Sequence, residues 1–142
     1  MTTLRLILGD QLNLNHSWFQ NPDPQTHYLL MEMRQETDYV KHHVQKICAF
    51  FLSMRRFSER LQKRDFQVHY LRLDDPQNFQ NLEDNLNYFM NKLKCRRFEW
   101  QLPDEWRLDQ QLRDFFSSCD FEGGPVDSEH FLTGRSEVEV FF

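Results

Sequence analysis

The sequence predicts an α/β fold, a Rossmann-like parallel sheet of about five strands with helices on both faces. Three observations lead there. Short apolar, β-branched runs alternate with longer stretches whose apolar residues recur at helical spacing. Each link between successive runs is long enough for a crossover, and a crossover between parallel strands is nearly always right-handed. The second run is apolar on both faces, as a central parallel strand covered on both sides must be.

The elements follow in order. Leu4 to Leu8 reads as a strand that closes at Gly9-Asp10 and gives way to a polar, proline-containing loop from Gln11 to Gln25. His27 to Met33 (HYLLMEM) is the second strand, ending at Arg34-Gln35. From about Asp38 to Arg64, Val40, Val44, Ile47, Phe51, Met54 and Leu61 form one stripe of a long amphipathic helix, with Thr37 or Asp38 placed to cap it. Gln67 to Leu73 alternates as a third strand. After Asp74-Asp75-Pro76, the residues Phe79, Leu82, Leu86, Phe89 and Leu93 mark a second helix. Arg97 to Leu102 is a fourth strand stopped by Pro103, and Trp106, Leu108, Leu112, Phe115 and Phe116 suit a shorter helix. Ser118 to Phe121 is assigned as a last edge strand before a Gly123-Gly124-Pro125 turn.

Composition narrows the function classes. The chain has 142 residues, enough for one domain with a real core, and 14 Phe with 27% charged residues mark it as folded. It has only four glycines, Gly9, Gly123, Gly124 and Gly134, so neither a GxGxxG dinucleotide turn nor a Walker phosphate loop can be written in it. The net charge of −5 opposes general attraction to nucleic acid or an anionic membrane. Cys48, Cys95 and Cys119 are too scattered for a CxxC zinc site, and an odd count argues against a disulfide framework. With no basic leader, and Ile47 to Leu52 as the longest apolar run, the expected compartment is the cytoplasm.

In a sheet of this kind ligands sit beyond the carboxyl ends of the strands, near the point where strand order reverses. The candidates are therefore Gly9-Asp10-Gln11, Met31 to Glu36, Asp74-Asp75 and Leu102 to Glu105. Gly9 leaves room where a side chain would obstruct a ligand, and Asp10 with Gln11 can hydrogen-bond the edge of a heterocycle; a plain structural turn explains them equally. Glu32 and Glu36 can join Asp10 in presenting acceptors to a flavin-like or pterin-like ring. On the residues alone, Glu36 is better read as a partner of the helix dipole, and Glu32 as a partner of Arg34. His42 and His43 point about 100° apart on a helix and cannot grip one metal together. Lys41, Lys46, Arg55, Arg56, Arg60, Lys63 and Arg64 make the long helix basic, and a solvated face paired with nearby acids is the preferred reading. Of the tryptophans, Trp100 belongs to the core, whereas Trp106 is the better contact candidate.

Four segments in register, LRLILGDQLN (4–13), QETDYVKHHVQKICAFFLSMRRFSERL (35–61), PDEWRL (103–108) and SEHFLTGR (128–135), resemble the N-terminal part of photolyase-related proteins. More narrowly, they are similar to the bacterial iron–sulfur cryptochrome/photolyase group, also called prokaryotic (6-4) photolyases. The resemblance implies an antenna domain over residues 1–135 that binds 6,7-dimethyl-8-ribityllumazine. It further implies that residues 136–142 begin a linker, their apolar Val138, Val140, Phe141 and Phe142 leading to a helical catalytic domain with FAD, a [4Fe-4S] cluster and the DNA-lesion pocket. By the same resemblance Gly9, Asp10 and Gln11 line the lumazine ring, Glu36 hydrogen-bonds its polar edge, and Tyr39 and Phe50 pack nearby. Met31 and Met33 fall where the family varies. Such a domain alone has neither flavin acceptor nor lesion pocket and is expected not to repair DNA. The competing expectations are a stand-alone nucleotide- or flavin-binding α/β protein, and a protein-interaction module that uses the apolar tail.

Overall fold

A computed structural model describes residues 2–33 and 44–128. Its sheet has five strands, all parallel: β1 (Thr3–Leu6), β2 (Thr26–Met31), β3 (Gln67–Leu71), β4 (Arg97–Gln101) and β5 (Glu122–Val126), in the order β3-β2-β1-β4-β5. Among the described residues three helices link them: α1 (Val44–Lys63), α2 (Leu82–Lys92) and α3 (Trp106–Ser118). The chain adds strands on one side of β1 and then, with β4, on the other. Strand order therefore reverses between β1 and β4, which makes their carboxyl ends the expected crevice.

Strand alternation sorts side chains into two dry layers. Leu4, Leu6, Leu8, Leu29, Met31, Met33, Phe98 and Trp100 point to the face covered by α2 and α3, where Leu86, Phe89, Leu112 and Phe115 meet them. Ile7, Tyr28 and Leu30 point the other way, to Phe51, Met54, Phe57 and Leu61 of α1. Trp18 and Phe19, carried by a short 3-10 turn at Ser17–Phe19, complete this second layer. Helix α2 starts as its sequence dictates: the Asn81 side chain accepts from the Asp84 amide at 3.1 Å, Glu83 and Asp84 occupy the positive first turn, and Lys92 lies in the last. Phe79 falls before this helix and is 51% exposed, so it is not part of the stripe.

The last strand corrects the sequence reading. Helix α3 runs through Ser118, so Ser118 to Phe121 is not a strand, and Gly123-Gly124-Pro125 lies within β5 instead of forming a turn. The position explains the composition. Gly123 has φ +105°, and a Cβ there would come within 2.4 Å of the Phe98 carbonyl oxygen, so only glycine fits. Pro125, opposite Trp100, is tolerated because β5 is an edge strand. The expected cap at Thr37 or Asp38, the paired histidines His42 and His43, and the segment 136–142 lie outside the described residues.

Candidate functional site

Three strand ends meet at the crevice. Gly9 follows β1, is buried, and lies under α1: a Cβ built on it would reach 2.2 Å from Cζ of Phe50. The missing side chain is thus what lets the aromatic ring of α1 close over the end of β1. Asp10, next in the chain, is exposed. Gln11 turns back into the protein and is 1% exposed. Its Oε1 accepts from the Leu8 amide at 3.1 Å, and its Nε2 donates to the carbonyls of Gln101 (3.1 Å) and Leu102 (3.4 Å). The side chain therefore ties the end of β1 to the end of β4, a positioning role.

Glu32, just past β2, is fully buried and fully engaged. Arg55 of α1 donates to it through Nε at 2.6 Å and through an Nη at 2.9 Å; the Leu73 amide donates at 3.1 Å, and the Tyr70 hydroxyl donates as well. These four bonds use the roughly four acceptor positions a carboxylate has. Burial pushes the Glu32 carboxyl up, but the Arg55, Tyr70 and Leu73 hydrogen bonds outweigh it and hold the group below the ordinary carboxylate range. The same contact raises Arg55 above its usual value. Burial, together with the neighbouring carboxylate, pushes Tyr70 well above the ordinary phenol range. Glu32 thereby fixes α1 against the ends of β2 and β3, and with it the placement of Phe50. Its partner is Arg55, a member of the basic series on the long helix; Arg34 lies outside the described residues.

The remaining candidates divide. Met31 and Met33 are 4% and 2% exposed and belong to the layer under α2 and α3, on the face opposite Phe50. Asn85 donates to the Met33 sulfur at 3.7 Å, and Asn78 donates to the Glu32 carbonyl at 2.6 Å and accepts from Asn85 at 3.0 Å. Asp75 caps its own turn by accepting from the Gln77 amide, and Asp74 is exposed. Trp106 is 74% exposed, and Trp100, at 1%, is core. Glu36 and Tyr39 lie outside the described residues. No three His, Cys, Asp or Glu gather as a metal site among the described residues, and no described helix is long and apolar enough to cross a membrane.

One residue at this edge escaped the sequence reading. Gln101, the last residue of β4, is fully buried, and among the described residues both ends of its carboxamide lack a hydrogen-bond partner. In sequence Gln101 continues the alternating polar positions of Arg97 and Glu99, and only its complete burial sets it apart.

The family model for deoxyribodipyrimidine photo-lyase-related protein matches residues 5–142. The chain belongs to the photolyase-related family. A (6-4) photolyase of Agrobacterium fabrum (strain C58 / ATCC 33970) is 30% identical to it over 138 residues, covering 96% of this chain and 27% of the relative. The photolyase-related chain thus spans about a quarter of that protein's length.

Proposed function

We propose that this photolyase-related domain holds 6,7-dimethyl-8-ribityllumazine at the carboxyl edge of β1 and β2 and serves as the light-gathering antenna of a DNA-repair photolyase. When bound, the lumazine supplies absorption in the near-ultraviolet and blue, with the excitation passing to a flavin in a catalytic domain that also carries the iron–sulfur cluster. The observation that carries this reading is the Gly9–Phe50 contact. A strand end with no side chain, roofed by an aromatic ring, offers a flat apolar surface at the edge where α/β sheets bind ligands.

The protein's share of the work is binding and orientation. Phe50, seated on Gly9, offers the flat surface, and Asp10 and Glu36 the polar groups for the ring edge. Gln11 and Glu32 hold the strand ends and α1 in place through the bonds described above. Because Phe50 meets the would-be Cβ of Gly9 with the far end of its ring, Gly9→Ala is expected to push the ring aside, at a cost of about 1 kcal/mol in stability, and to weaken binding.

The test is titration of purified chain with 6,7-dimethyl-8-ribityllumazine, followed by absorbance and by quenching or enhancement of its fluorescence. A saturable signal that is lost in Glu36→Ala and weakened in Gly9→Ala supports the antenna reading. A chain that is colourless as isolated and gives no saturable signal overturns it.

A further inference from the structure

The proposed ring site accounts for the edge of β1 but leaves Gln101 unexplained. A buried carboxamide without partners costs roughly 1–3 kcal/mol, and native folds rarely keep one without a use. Its placement is defined by register. Leu6 pairs with Trp100 across the β1/β4 ladder, so one residue further on Ile7 lies beside Gln101. Phe98 and Trp100 face α2 and α3, and by alternation Gln101 faces the opposite side, the side of Ile7 and of the Gly9–Phe50 contact. Its own backbone carbonyl is anchored by Gln11. Among the described residues, an unpartnered donor and acceptor thus stand on a fixed strand end, at the point where strand order reverses and on the face where Phe50 covers Gly9.

We infer that Gln101 is a specificity-determining residue that reads the imide edge of a bound bicyclic or tricyclic ring, a C=O and N–H pair side by side. Nε2 donates to the ring carbonyl and Oε1 accepts from the ring N–H, so that a ligand with this edge satisfies both ends of the carboxamide at once. Lumazines and flavins share that edge. This rests on the crevice proposed above being a ring site, but not on which of the two rings occupies it.

The experiment compares the full chain with Gln101→Leu, a substitution of similar volume that removes both hydrogen-bonding atoms. Each is titrated separately with 6,7-dimethyl-8-ribityllumazine and with riboflavin, reading ligand absorbance and fluorescence, and each ligand-free protein is melted thermally. The expected result is at least about tenfold weaker binding with a shifted absorption maximum, and a ligand-free melting midpoint that is unchanged or higher. Equal binding by the two proteins overturns the inference. So does a clear fall in the ligand-free midpoint, which would mean the carboxamide is bonded within the fold. Gln101-dependent binding of riboflavin without lumazine binding supports the inference and sinks the antenna reading; no binding of either ring by the unaltered chain sinks both.

Discussion

The ends of β2 and β4 hold two buried polar side chains in opposite states. Glu32, past β2, carries a charge and has every acceptor position filled by Arg55, Tyr70 and Leu73. Gln101, ending β4, is neutral and has none of its positions filled among the described residues. Between them Gln11, past β1, spends its carboxamide on the Leu8 amide and on the Gln101 and Leu102 carbonyls at the end of β4. The difference separates two jobs that look alike in sequence. A saturated polar group near a site holds the walls; an unsatisfied one is free to recognise what enters.

The largest expected effect comes from removing the saturated group. Glu32→Ala strands the Tyr70 hydroxyl and the Leu73 amide and releases α1 from the sheet, with an expected loss of about 3 kcal/mol in chemical denaturation. Arg55 is 38% exposed and can turn to water, which keeps the loss from being larger. A loss below about 1 kcal/mol would show that the carboxylate is not a structural tie, and the contrast with Gln101 would collapse. Gln11→Leu comes next, at about 2 kcal/mol, because the buried Leu8 amide and the Gln101 carbonyl lose their partner. An unchanged unfolding midpoint in that variant would break the distinction between Gln11 and Gln101.

Acid titration sharpens the comparison from the opposite end of the sheet. His27 and His69 touch across β2 and β3, with Nδ1 and Nε2 3.0 Å apart. Burial, then the neighbouring His27 and Lys92, pull His69 down to about 4. Between its ordinary 6.5 and about 4 the unfolded chain takes up a proton that the folded chain refuses, so stability falls as pH falls through that window. The expected loss is about 1–2 kcal/mol, and His69→Phe should reduce it, leaving the share of His27, which burial also holds below its ordinary value. The Glu32 contribution has the depressed-carboxylate form. It is fully present above the ordinary carboxyl value and is lost only as pH drops through its lowered one. An acid limb between pH 6.5 and 4 that persists undiminished in His69→Phe would assign the loss elsewhere.

Much of the fold was legible in the sequence, because apolar period is a local property. Leu4 to Leu8, HYLLMEM and RFEWQL each read as strands, and the stripe through Phe51, Met54 and Leu61 read as a helix, since each pattern is complete within a few turns of chain. The last strand was not legible. Gly-Gly-Pro carries turn chemistry, and only the close approach of Gly123 to the Phe98 carbonyl, in an edge strand, reverses that meaning. The edge proposed to carry the site can be named from sequence for a topological reason, since any parallel sheet gathers its carboxyl ends on one side.

By itself the sequence determined the α/β class, the candidate edge and, through four segments in register, the family. Tertiary structure alone decided which polar residues at that edge are spent and which are not. Sequence proximity offers Glu32 a partner in Arg34, which lies outside the described residues, whereas only the fold brings Arg55, 23 residues on, to its carboxylate. Gln11 and Gln101 are the same residue type in neighbouring strand ends, and nothing local separates them. Hydrogen bonds between distant residues depend on strand order and helix placement. A side chain's free valences are therefore a property of the assembled sheet and not of the segment that carries it.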